Sequence, residues 1–259
     1  MSCAPMNEAA AFSDDAFLGG RLRLRQPISG HRCGHDAILL AAAVAARPGD
    51  RVIELGAGVG AAGLAVAVRV DGLRLTLVEI DPDLAEIARH NAAANALSAD
   101  VVVLDVTSEA SAFAAAGLAP DSAEIVLMNP PFNDAGRHRP SPDPARATAH
   151  MAAPSTLEAW VHAARRILKS GGVLTLIWRA DGLGEVLSAL SRGFGSLALL
   201  PVHGEAGKPA IRILVRAVKG GRAPLVLLEG IALNAPSGPA SEVVEAMMAG
   251  RGALPFARP

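Results

Sequence analysis

The chain has 259 residues, enough for one large domain with small appendages to bury about three-quarters of its unfolded surface, and its formal net charge of −1 leaves any nucleic-acid contact to local patches. Two cysteines, Cys3 and Cys33, make neither a disulfide framework nor a metal site. Glu54 and four glycines interrupt the most apolar long window, residues 52–68, which excludes a membrane span, and Glu8, Asp14 and Asp15 stand where a signal peptide carries bases. A cytoplasmic protein without a membrane partner is expected.

Residues 1–16 read as disordered. Residues 17–50 read as a strand and helix extension, and residues 51–259 as the main domain. In the extension Arg21, Arg23 and Arg25 alternate with Leu22 and Leu24 as in a strand, and residues 36–46 form an alanine-rich helix ended by Pro48-Gly49. Strands and helices then alternate: strands at 51–55, 73–79, 101–104 and 124–128, helices at 60–70 and 82–96. Asp81 caps the second of these helices, and Pro82 sits in its first turn, where a missing N–H costs nothing. Residues 133–153 are loop-like. A helix capped by Ser155 runs over 156–169 and is closed by Gly171-Gly172, followed by a strand at 173–178 and a helix at 182–192. Strands at 196–201 and 210–218, a strand-like Leu-Val-Leu-Leu from Leu225 and a helix at 242–248 complete the chain. This alternation implies an α/β fold, a mostly parallel sheet with helices on both faces.

The segment 125–132, Ile-Val-Leu-Met-Asn-Pro-Pro-Phe, carries the most chemistry. Proline has no N–H for a sheet ladder, so the strand stops at Asn129. Asn129 and Phe132 are left at the mouth of the sheet, where open α/β folds bind ligands. An exocyclic or amide nitrogen is a poor nucleophile because its lone pair is delocalised. Two acceptors, the Asn129 side-chain oxygen and the Pro130 carbonyl, would grip its two N–H bonds and favour the pyramidal, attacking form. Phe132 would stack on a base, a contact worth roughly 1–3 kcal/mol. Asn-Pro-Pro also has the composition of a plain turn.

The strand-to-helix turn Glu54-Leu-Gly56-Ala-Gly58-Val-Gly60-Ala-Ala-Gly63 satisfies the dinucleotide-binding pattern, with Glu79 ending the next strand. Glu54, however, stands where a pyrophosphate needs positive potential, and suits a ligand with a cationic head such as S-adenosylmethionine (SAM). Either ligand would place ribose hydroxyls on Glu79. Asp105, after the third strand, is a candidate for the adenine amine or, equally, a helix N-cap for residues 107–116.

These residues resemble the class I SAM-dependent methyltransferases. The resemblance is strongest to the bacterial tRNA adenine-N6 methyltransferases that modify the adenosine beside the anticodon of a valine tRNA. It extends over roughly residues 17–235 and includes the distinctive stretch Gln26-Pro-Ile-Ser-Gly30-His-Arg-Cys-Gly34-His-Asp36-Ala-Ile-Leu-Leu40. The resemblance implies a Rossmann-like seven-stranded sheet with one antiparallel strand, and residues 17–50 covering the cofactor site. It implies Gly34, Asp36 and Leu39-Leu40 at the methionine end of SAM, Glu54, Gly56 and Gly58 in its main pocket, Glu79 on ribose and Asp105 on adenine. Asn129, Pro130, Pro131 and Phe132 would hold the target base, with no metal. Independently of the resemblance, Arg21, Arg23, Arg25 and Arg32 are candidates to track RNA phosphates, and Arg137-His138-Arg139 lies close to the target-base motif. His35 replaces a small hydroxyl residue and Phe132 a tyrosine of the family pattern. The expected activity is methyl transfer to the N6 amine of an adenosine in tRNA by a monomer. The alternatives are a DNA-adenine or protein-glutamine acceptor, or a SAM-binding RNA-associated protein without turnover.

Overall fold

A computed structural model describes residues 12–28, 33–131, 156–234 and 241–254. Its main sheet follows the order β10-β8-β9-β7-β6-β3-β4-β5, with β11 also paired to β8. The strands are β3 (Arg51–Leu55), β4 (Arg74–Glu79), β5 (Ala99–Val103), β6 (Ala123–Met128), β7 (Leu168–Arg179), β8 (Phe194–Glu205), β9 (Ala210–Lys219), β10 (Val226–Leu227) and β11 (Ile231–Asn234). The seven from β8 to β5 are the expected sheet. β9 runs antiparallel to both its neighbours, and the other pairings are parallel. Two short strands from the tail lengthen the β8 edge.

Side chains alternate between two apolar layers. Val52, Ile125, Leu127, Leu75 and Leu77 face one side, where α1 (His35–Ala43), α2 (Ala61–Arg69) and α3 (Pro82–Ala94) cover them. Ile53, Leu55, Val126, Met128, Leu174 and Leu176 face the other. There α4 (Ala110–Ala115), α5 (Thr156–Ile167) and α6 (Leu183–Leu190) close the layer. α5 forms because Leu157, Trp160, Val161, Ala164 and Ile167 recur at helical spacing and all are buried. The Asp81 side chain caps α3 by accepting from the amides of Asp83 and Leu84, as expected. α5 ends at Ile167 and β7 starts at Leu168, so Gly171-Gly172 lies inside the strand rather than closing the helix.

The chain order of the strands reverses direction between β3 and β6. β4 and β5 lie outward of β3, β7 lies outward of β6, and Leu55 pairs with Met128 at their carboxyl ends. A doubly wound sheet opens its ligand crevice at such a switch point. Gly56 and Asn129 are the next residues on the two strands.

Residues 12–16, expected to be disordered, are part of β1 (Phe12–Phe17), which pairs antiparallel with β2 (Leu22–Pro27). The hairpin is held by α3. The Asn91 side chain accepts from the Arg25 amide and donates to the Arg25 carbonyl, and Asn95 does the same with Arg23. One turn apart on a helix, the two amides reproduce the hydrogen bonds of a neighbouring strand. Asn91 also donates to the Val59 carbonyl in the glycine turn. At the other end of the chain, α7 (Glu242–Met248) packs Val244 and Met247 into the same layer as α1, and the Leu254 amide donates to the Ala42 carbonyl.

Candidate active site

The turn between β3 and α2 takes its shape from positive φ at Gly56 (+70°), Gly58 (+55°) and Gly60 (+86°). At Gly56 a side chain is doubly excluded, because a Cβ would lie 2.3 Å from the Trp160 ring. The amides of Gly56 and Ala57 both donate to the Val78 carbonyl, anchoring the turn to β4. Gly63 allows α2 to approach the sheet: a Cβ there would meet Leu77 at 2.6 Å and the Glu54 carboxylate at 2.7 Å.

Two acids meet this turn differently. Glu54 is 4% exposed and accepts from the Gly63 amide at 2.7 Å. Burial pushes its carboxyl up to about 8; the Gly63 hydrogen bond opposes this and the charge of Glu79 adds to it. Glu79, also buried, accepts from Gly58 at 2.6 Å through one oxygen and from Ile80 and Asp81 through the other. Its carboxylate thus ties the end of β4 to the glycine turn.

A cavity of about 400 Å³ opens between this turn, the start of α1 and β9. Its lining brings together Gly34, Asp36, Leu39, Leu40, Glu54, Gly56, Gly58 and Asn129, eight of the residues singled out from sequence. Glu79, Pro130, Pro131 and Asp105 are not in that lining. Pro130 is buried and Pro131 exposed. Asp105 accepts from the Thr107 amide and hydroxyl, both through Oδ1, and so closes a local turn. It does not cap the following helix, which begins only at Ala110 after Glu109. Phe132 and Arg137 lie outside the described residues, as do Arg32, His138, Arg139 and the expected cap Ser155.

Asn129 holds the most telling atom. Its Oδ1 is buried and has no hydrogen-bond partner among the described residues. Leaving a buried amide oxygen without a donor costs about 1–3 kcal/mol, and Asn129 lines the cavity beside the glycine turn.

Sequence reading missed Arg212. From β9 its Nε donates to Asp36 Oδ2 at 2.9 Å, across 176 residues of chain, and both side chains are partly buried. No local pattern signals such a pair. Two apolar side chains at strand ends were also missed: Ile80, 61% exposed just beyond Glu79, and Val103, 48% exposed at the end of β5. An apolar residue directly after a strand-ending acid was the available signal. Cys33 lines the cavity, and its thiol is pushed up to about 12 by burial and by the charges of Glu54 and Asp36, so it stays protonated. The arginines proposed from sequence as phosphate contacts are partly committed elsewhere. Arg25 pairs with Asp14, and Arg21 donates to the carbonyls of Gly250 and Val68. Among the described residues no cluster of His, Cys, Asp and Glu could hold a metal, and no helix is long and apolar enough to cross a membrane.

The seven-stranded order with one antiparallel strand, the glycine turn at the switch point and the strand-end acids define a class I SAM-dependent methyltransferase. Its cofactor is S-adenosylmethionine. The chain belongs to the methyltransferase small domain family, whose model matches residues 29–203. It is similar to the tRNA1(Val) (adenine(37)-N6)-methyltransferase of Aeromonas hydrophila, with 30% identity over 194 residues, 73% of this chain and 77% of that protein. The release factor glutamine methyltransferase of Chlorobaculum tepidum is 26% identical over 155 residues, 58% of this chain and 52% of that one. A crystal structure described as a predicted O-methyltransferase of Agrobacterium tumefaciens superimposes with a TM-score of 0.71 at 34% identity, covering 85% of this chain and 98% of that chain.

Proposed function

We propose that the protein transfers a methyl group from SAM to the N6 amine of an adenosine in tRNA. The observation that carries this reading is the buried Asn129 Oδ1 beside the glycine turn, which has no hydrogen-bond partner among the described residues. An acceptor without a donor among the described residues suits a substrate amine. Two different prolines follow it, so the backbone beyond Asn129 cannot supply the missing donor at those positions.

The residues present fit the cofactor. Gly34 and Gly58 leave open space where a Cβ would stand, and the cavity has the volume of an ordinary small-ligand site. Glu54 would face the cationic methionine end, its carboxyl drawn to the ionised form by that charge. Asp36, held by Arg212, would take the ammonium. Glu79 would receive ribose hydroxyls, and Ile80 and Val103 would offer their exposed apolar surfaces to the adenine, with Asp105 Oδ2 at its amine. When bound, the cofactor supplies an electrophilic methyl on a sulfonium leaving group.

Asn129 Oδ1 and the Pro130 carbonyl would accept the two N–H bonds of the target amine and draw its lone pair out of conjugation. That interaction strengthens as the nitrogen becomes pyramidal, so it acts mainly in the transition state. The N–C bond forms as the C–S bond breaks, and the surplus proton leaves the methylated nitrogen for water afterwards. No strong general base is required. Phe132 would stack on the base and Arg137 would contact the RNA backbone. A monomeric cytoplasmic enzyme goes with this reading.

The relatives' names include a tRNA adenine, a protein glutamine and an O-methyl acceptor, so the acceptor is the part to test. The test is nucleoside mass spectrometry on unmodified tRNA after incubation with methyl-labelled SAM. Labelled N6-methyladenosine is expected, and Asn129→Ala should abolish it while SAM binding persists. Near-normal turnover in that variant would sink the mechanism. No label in any nucleoside, with SAM bound, would shift the acceptor to DNA or protein or leave a binder without turnover.

A further inference from the structure

On the face of the sheet opposite α1–α3, a groove of about 590 Å³ runs between α5, α6 and the loop after β5. It is separate from the cofactor cavity and shares no lining residue with it. Arg165, Arg166, Arg192 and His162 line it, with Glu158 as the one acid among its lining residues. In a chain with a net charge of −1 this is a local concentration of positive charge.

The arginines are held in place without being neutralised. The Arg165 stem lies against Gly193, where a Cβ would come within 2.6 Å of its Cδ, and its guanidinium meets the Arg192 carbonyl and the His162 ring. Arg166 stacks over Phe113 at 4.2 Å and donates to the Ser108 carbonyl. Its Nε is buried with no hydrogen-bond acceptor among the described residues. None of the three arginines has a carboxylate partner among the described residues. A structural role alone, at the C-terminal end of α5, would need only one charge near the last turn. Two adjacent arginines braced from different sides, with a third across the groove, are arranged to receive an extended anion.

The groove also starts in the right place. Its loop rim, Val106, Thr107 and Ser108, directly follows Asp105 at the carboxyl edge of the sheet. Trp160, which packs on Gly56 of the cofactor turn, lies six residues before Arg166, or about 9 Å along the helix. We infer that this groove binds the phosphate backbone of the RNA whose adenosine occupies the Asn129 site. Arg165, Arg166 and Arg192 contact phosphates several nucleotides from the target, because the Arg166 carbonyl accepts from the Asp121 amide just before β6, roughly 25 Å of extended chain from Asn129. The inference rests on the RNA reading of the acceptor. Charge complementarity favours a polyanion, and base-specific contacts are not required.

The test compares wild type with Arg192→Gln, an exposed position, and with Arg165→Gln/Arg192→Gln. Binding of unmodified bulk tRNA is measured across a salt series, alongside S-adenosylhomocysteine affinity, melting temperature and the KM and kcat of tRNA methylation. The double variant should bind tRNA about tenfold more weakly at low salt. Its dependence of log affinity on log salt should flatten by roughly 1.5, close to one unit per phosphate contact. S-adenosylhomocysteine affinity and melting temperature should stay at wild-type values, and the loss in methylation should fall on KM rather than kcat. Wild-type tRNA affinity and salt slope in both variants would overturn the groove assignment while leaving the RNA reading intact. A wild-type protein that binds no tRNA, or binds polyglutamate in its place, would overturn both. A weakening of tRNA binding that tracks a fall in melting temperature, with the exposed Arg192→Gln variant behaving as wild type, would reduce the arginines to a structural role.

Discussion

Glu54→Gln tests whether the buried acid beneath the glycine turn is kept for ligand binding at a cost to the fold. Unfolded, this carboxyl titrates at its ordinary value of 4.5; folded, burial lifts it to about 8. Between those values the folded chain keeps a proton that the unfolded chain has lost. Stability from this group is therefore fully present below pH 4.5 and is lost as pH rises, by about 1.4 kcal/mol per unit, levelling off above 8. At pH 7 the accumulated loss is about 3 kcal/mol. Glutamine keeps the shape and an oxygen for the Gly63 amide but cannot ionise. The cofactor-free variant should therefore be more stable than wild type at pH 7 by up to about 3 kcal/mol, a rise in Tm on the order of 6 °C. The gap should close toward pH 5, where both side chains are neutral. Titrating histidines and other carboxyls appear in both proteins, so the difference between the two melting curves isolates Glu54. SAM affinity should fall in the variant, because the cationic end loses its counter-charge. A variant with equal or lower Tm at pH 7, or a gap that does not change between pH 5 and 8, would refute the reasoning.

Gly56→Ala should destabilise the protein by about 2–4 kcal/mol in urea denaturation, from left-handed backbone strain and collision with Trp160; an unchanged midpoint would mean that the turn readily gives way. Asn91→Ala removes three hydrogen bonds to Arg25 and Val59 and should cost about 2–4 kcal/mol, with faster hydrogen exchange at the Arg25 amide. Exchange at wild-type rate would show that the hairpin does not depend on α3.

The short-range features of this chain could be read from sequence because their causes are local. Short apolar runs marked the central strands, Arg/Leu alternation marked β2, Asp81-Pro82 the start of α3, and the pair of prolines the end of β6. Positions 12–16 and 171–172 went otherwise. Phe12–Phe17 is ordered by its register with β2, and Gly171-Gly172 lies in β7 at a register shift against β6, between the Leu168 and Val173 pairings. Neither pairing leaves a trace in neighbouring residues.

The same division runs through the site. Amino-acid type and spacing were sufficient to select Glu54, Gly56, Gly58 and Asn129, since a tight turn needs glycine and a blocked strand end needs proline wherever they occur. That these residues share one cavity follows from the adjacency of β3 and β6, a property of strand order. The Arg212–Asp36 pair, the Asn91 and Asn95 braces, and the arginine groove between α5 and α6 join residues far apart in the chain. Their partners are fixed only once the sheet has assembled and its helices have packed, and only then does burial decide which charges are matched and which polar atoms are enclosed.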